Sequence, residues 1–117
     1  LAEINQDGYQ SIRDFVQANW TYIELRDDTN TAILRLDPTD SRVSFTHVAG
    51  SQTLELQIVV SGSDTEVTLP QTFASSAIYD VASGGTAYSE ESFTAFTMEG
   101  TSDQLTVKHQ IQVPQVV

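Results

Sequence analysis

Hydrophobic positions recur along this chain with two different periods. In the first stretch, Ile12, Phe15 and Val16 fall at i, i+3 and i+4, with Tyr9 three positions before Ile12. That spacing marks a helix face and predicts a short helix over Tyr9–Asn19, with Asp7-Gly8 as the break before it. Two roles are open to such a helix. It plugs an open edge or end of the following domain, or it is an arm that docks on a neighbouring subunit.

From Trp20 onward the period is two. Trp20, Tyr22 and Glu24 point one way, and Ile23 and Leu25 the other. Asp27-Asp28-Thr29-Asn30 is turn chemistry, and Ala32, Leu34 and Leu36 resume the alternation, which predicts a hairpin. Asp37-Pro38-Thr39-Asp40 is a second turn. Val43, Phe45 and His47 alternate with polar residues. Thr53–Val60 and Gln104–Val113 are the cleanest strands, with Leu54, Leu56, Ile58, Leu105, Val107 and Ile111 expected inside. Val67–Leu69, Ala77–Val81 and Phe93–Met98 are further expected strands, and Ala82–Ser92 an expected loop around Gly84-Gly85. Seven or eight short strands with turn signals between them predict a mostly β antiparallel sandwich or small barrel with one N-terminal helix. The expected organisation is an N-terminal arm and helix over 1–19 and a β-domain over 20–117.

Charge narrows the function classes. Five Lys and Arg stand against 16 Asp and Glu, a net charge of −11. Nucleic-acid and anionic-membrane binding need clustered cations, so neither partner is expected. No apolar run approaches the length of a membrane span. With no cysteine, disulfides, thiolate metal sites and Cys nucleophiles are excluded. The 12 Ser and 14 Thr cover sheet surfaces without charge, a composition common in extracellular domains and virion proteins. The chain begins at Leu1, as expected where a start residue or leader has been removed or left out.

The residues that could carry chemistry are few. No Gly-x-Ser-x-Gly elbow occurs, and Gly50-Ser51 and Gly62-Ser63 are turns. His47 and His109 each sit on the apolar face of a strand and approach each other only if those strands are neighbours. Neither has companions at zinc-ligand spacing, so both read as hydrogen-bonded core or interface histidines. The acidic loops at Asp27–Asn30 and Asp37–Asp40 lack the fixed glycine and distal glutamate of an EF-hand. Glu90-Glu91 shows no paired arrangement across a cleft. The sole lysine, Lys108, faces outward, against an internal isopeptide bond. Trp20, Tyr22, Tyr79 and Tyr88 are candidates for carbohydrate contact, and core packing explains them as well. The chain is therefore read as non-catalytic, with no catalytic, metal or cofactor residues.

The size, the Cys-free and Lys-poor acidic composition, the Ser/Thr/Gln-rich strands and the polar ending Gln104–Val117 resemble the small accessory proteins of tailed-bacteriophage virions. These are head decoration (cement) or tail accessory proteins. The resemblance implies a structural protein of the virion that binds the outer capsid surface and reinforces it. It also implies the major capsid protein or other virion subunits as partners, and a homo-oligomer, trimer or dimer. Arms and tails clasp neighbours in that class. The residues expected at such contacts are Tyr9, Ile12, Phe15 and Val16 on the helix, and Val116 and Val117 beyond Pro114. The alternative is an extracellular β-sandwich module that binds carbohydrate or protein.

Overall fold

Strand β4 (Thr53–Ser61) carries the cleanest alternation, and one sheet is built around it. In the computed structural model, which describes residues 1–48 and 50–114, Leu54, Leu56, Ile58 and Val60 are all buried. The residues between them are half-buried. A slip of one residue would exchange the two sets, so burial fixes the register. β4 pairs antiparallel with β3 (Val43–His47) on one side and β7 (Gln104–Gln112) on the other. Phe45 stands opposite Leu56, and Val107 opposite Ile58.

The second sheet has the order β2 (Ala32–Leu36), β1 (Tyr22–Arg26), β5 (Gln71–Tyr79), β6 (Ser89–Met98), again antiparallel throughout. Ile23, Leu25, Leu34, Leu36, Phe73, Ile78 and Met98 from this sheet meet Leu56, Ile58, Val60 and Val107 of the first in one core. The protein is thus mostly β: the described residues form seven strands in two sheets with no closed barrel among them, an arrangement that fits a β-sandwich. Its radius of gyration is 15.4 Å and its extents 52 × 27 × 24 Å. A compact chain of this length would have a radius near ~13 Å, so the molecule is elongated.

Four elements differ from the sequence expectation. Helix α1 spans Gln6–Asn19, three residues longer at its start. The Tyr9 amide donates to the Asn5 carbonyl at 3.0 Å, closing a first turn over Asp7 and Gly8. An acid in that turn favours the positive helix end, so Asp7-Gly8 continues the helix rather than breaking it. Val67–Leu69 is not a strand; Val67 is buried as a loop anchor, its amide bonded to the Asp64 carbonyl at 3.1 Å. β5 begins at Gln71 rather than Ala77 and ends at Tyr79. β6 begins at Ser89 rather than Phe93 and takes in four polar residues. It is an edge strand, and backbone pairing to β5 asks nothing of those side chains. Leu105 and Ile111, expected inside, are only half-buried because β7 is also an edge.

At one end of the sandwich the turn after β4 meets the turn before β7. The Gly62 amide donates to the Asp103 carbonyl at 2.9 Å. A Cβ on Gly62 would lie 2.0 Å from the Gly100 carbonyl oxygen, and backbone cannot move aside as a side chain would. Gly62→Ala should therefore destabilise the domain by about 1–3 kcal/mol, read as a lower urea midpoint at unchanged slope. An unaltered midpoint would show that the two turns separate freely.

Candidate functional site

The helix residues expected at an interface do not share one face. Residues 15 and 16 lie about 100° apart around a helix, and the structure puts them on opposite duties. Val16 is 2% exposed and turned to the domain. Arg13, one turn earlier on that side, is buried and donates to the Val113 carbonyl and to Gln10 Oε1. Tyr9 is half-buried, and Gln10 approaches His47 Nε2 at 3.4 Å. These contacts tie α1 to the ends of β3 and β7. Ile12 and Phe15 instead face outward, 39% and 60% exposed. The stripe read from the sequence as one face is thus two. Val116 and Val117 lie outside the described residues.

A polar cluster that the sequence reading did not assemble lies on the outer face of the four-stranded sheet. Glu24 and Arg26 sit two apart on central strand β1, Arg35 stands opposite Glu24 on β2, and Tyr79 ends β5. Arg26 donates to Glu24 at 2.8 Å and to the Tyr79 hydroxyl at 2.6 Å, and pairs with Glu90 of β6. Arg35 donates twice to the other Glu24 oxygen, at 3.0 and 3.2 Å. Its remaining arm reaches the carbonyls of Val81 and Gly84, and its guanidinium lies 3.4 Å from the Tyr79 ring centroid. Burial alone would raise the Glu24 pKa. The hydrogen bonds from Arg26, Arg35 and Tyr79 outweigh it and hold the carboxyl below its ordinary range.

This cluster floors a groove of about 560 Å³ that also includes Asn30 and the Gly84-Gly85 turn. Both glycines have positive φ, which lets the Asp80–Tyr88 loop fold back over the sheet edge. Both Glu24 oxygens are engaged within the protein, as are Nε and both Nη atoms of Arg26 and of Arg35. The chemistry is therefore that of a saturated ion network that pins a loop. The sequence did hold a signal: alternate charges on a strand whose other face is Ile and Leu.

The two histidines are apart, with β4 between their strands and Leu54 and Leu56 as their respective neighbours. His109 is fully buried, with Nδ1 2.7 Å from Ser76 Oγ and Nε2 2.8 Å from Ser89 Oγ. Both serines belong to the opposite sheet, so the ring ties the two layers together. Burial pushes the His109 pKa down, against a smaller opposing pull from Glu91. A neutral hydroxyl at Nδ1 brings no counter-charge to an imidazolium, unlike the carboxylate of a catalytic triad. The acidic loops also turn inward on themselves. Asp27 accepts from the Thr29 and Thr31 amides, and Asp37 from the Thr39 amide and hydroxyl. Those bonds lower both carboxyl pKa values. Among the described residues, no three His, Asp or Glu side chains gather as a metal site. No described helix is long and apolar enough to cross a membrane. Of the aromatic candidates, Tyr79 is buried under Arg35, while Trp20 and Tyr88 stack at 5.0 Å with Tyr88 half exposed.

Comparison with protein-family models, curated proteins and solved structures finds no match to this chain. The site must therefore be judged on its geometry alone.

Two pH windows follow. The His109 pKa is lowered in the folded state, so its contribution is full above the unfolded value near 6.5 and is lost as pH falls. Melting temperature should drop between about pH 7 and pH 5, and His109→Gln should flatten that slope while lowering stability at pH 7. An equal slope in the variant would assign the effect elsewhere. At the Gly62 end, Arg42 bridges Asp40, Asp64 and Glu66 at 2.9, 3.2 and 2.7 Å. Hydrogen bonds from Arg42 lower Asp40 and Glu66 to about 2 each. Their contribution is present above the unfolded carboxyl values and lost as pH falls through about 2. Arg42→Met should cost roughly 1 kcal/mol at pH 7, allowing for screening of these part-exposed groups, and close to nothing near ~pH 2. A penalty independent of pH would mean that the arginine acts by packing alone.

Proposed function

We propose that this protein is a structural component of a virion, a decoration protein that binds the outer surface of a capsid and reinforces it. One observation carries the reading: the protein engages its own arginines and leaves its acids outside. Arg13, Arg26, Arg35 and Arg42 are all bonded within the chain. The ion pairs engage Glu24, Asp40, Asp64, Glu66 and Glu90, and no other carboxylate among the described residues has a cationic side chain in reach. Such a surface attracts a basic partner and repels its own kind until a partner supplies counter-charge. A stabilising protein also needs a preformed domain, and the buried core and cross-sheet His109 tie support that. The resemblance in size and composition to phage accessory proteins supplies the capsid, and a dimer or trimer at a local symmetry axis is the expected arrangement on it.

The Trp20–Tyr88 pair, with Tyr88 half exposed over a half-buried Trp20, favours a second reading, an extracellular module for carbohydrate or protein. Sedimentation of the purified protein with capsids of the phage that encodes it separates the two. A decoration protein should co-sediment saturably and raise the temperature at which the capsids disrupt. Binding should weaken between about 50 and 500 mM salt as screening shortens the reach of the acids. No co-sedimentation at any salt would overturn the proposal, and glycan binding lost in Tyr88→Ala would replace it with the second.

A further inference from the structure

Among the described residues, four of the seven exposed large hydrophobic side chains lie in the first 15 positions: Leu1, Ile4, Ile12 and Phe15. Three of them form one continuous stripe. Gly8, Ile12 and Phe15 follow each other at i, i+4 and i+7 on α1, so they fall within about 60° of the same helix side. Ile4 precedes the helix yet folds back onto that side, with its Cγ2 2.7 Å from where a Cβ of Gly8 would be. The glycine thus makes the seat on which Ile4 rests. The inner side of the same helix is already occupied by its contacts with the domain through Val16 and Arg13.

Charge decides what can cover the outer side. Asp7 and Asp14 lie on the same outer side of the helix, about 80–100° around it from Phe15, and both are exposed. The helix's only cation, Arg13, is buried on the inner side and bonded to the Val113 carbonyl. A second copy laid across this stripe would bring aspartates against aspartates. The other three arginines pair elsewhere, and the exposed Lys108 lies on β7 rather than on the helix that a symmetric contact would present. Like charges brought to an interface discriminate against that pairing.

We propose that the Ile4–Ile12–Phe15 stripe is the docking face for a foreign protein surface: an apolar strip bordered by lysine or arginine. This deepens the proposed virion role and rests on it only for the identity of the partner. Phe15 is the anchor, since it is the larger and more exposed of the two outward hydrophobic side chains of α1, and a few large side chains carry most of the binding energy in such contacts.

A synthetic amphipathic helix of leucine and lysine serves as the probe, with fluorescence anisotropy on the full chain and on Phe15→Asp. The substitution is at an exposed position, and an unchanged melting curve verifies the fold. Docking through the stripe predicts that Phe15→Asp weakens binding by roughly tenfold or more. Attraction by acidity alone predicts the reverse, because the variant carries one more negative charge. Equal or tighter binding by the variant, or no binding by the parent, overturns the proposal. So does a parent dimer in sedimentation that Phe15→Asp converts to monomer, since the occupant is then a second copy. Capsid sedimentation of the same variant separates the two ideas. Capsid binding by both proteins removes the docking face and leaves the virion role standing. Probe binding through Phe15 without capsid binding by the parent leaves the face standing and removes the role.

Discussion

The scarcity of cations organises this molecule. Sixteen acids share five basic side chains, and the fold places each arginine where several acceptors converge. Arg26 and Arg35 share Glu24 on the outer face of one sheet, while Arg42 gathers three carboxylates at one end. Arg13 closes the helix onto the last strand through a carbonyl. Each arginine thereby joins segments distant in sequence, which a lysine with its point charge would do less well. The consequence is a surface with almost no positive charge left on it. Internal cohesion and external acidity are the same fact, seen from the two sides of the protein surface.

The two sheets were legible where one face is buried and the other is wet. β4 and β7 alternate cleanly, and their boundaries fall within a residue of the pattern. Legibility failed where burial stopped constraining side chains. Ser89–Ser92 pairs with β5 on an open edge, so polar residues there cost nothing and mimic a loop. Between Phe73 and Ser75 the pairing of β5 with β6 shifts register, and Phe93 and Phe96 both stay half-buried at a spacing of three. Val67 failed in the opposite sense: it is buried like a strand residue, but no strand pairs with it.

The polar cluster was invisible for a different reason. Alternation puts Glu24 on the opposite side of its strand from Ile23 and Leu25, which gives its direction and is silent about cover. Its burial comes from Arg35 across the hairpin and from the loop that Gly84 and Gly85 fold back, both set by tertiary structure. A sequence reports which face a side chain takes and rarely what will lie over that face. The histidines show the limit from the other side. Alternation alone puts His109 on the apolar face of a strand, as a core or interface residue, while its serine partners are 33 and 20 residues away on the opposite sheet.

The helix joins these lines of argument. Its apolar residues exceed what one buried face requires, and the surplus was folded into a single stripe when read as sequence. In the structure the inner side is held by a valine and an arginine, a small anchorage for a helix of 14 residues. A helix of that length is marginal alone in water, so its stability must come from packing. Leaving phenylalanine and isoleucine in water on the outer side does nothing for the isolated domain. The same two residues would reward a surface that covers them, and the exposed Asp7 and Asp14 on the same outer side would disfavour an acidic one. Stability of the helix and choice of partner are therefore coupled: a partner that covers Phe15 also completes the packing that the sandwich supplies on one side only.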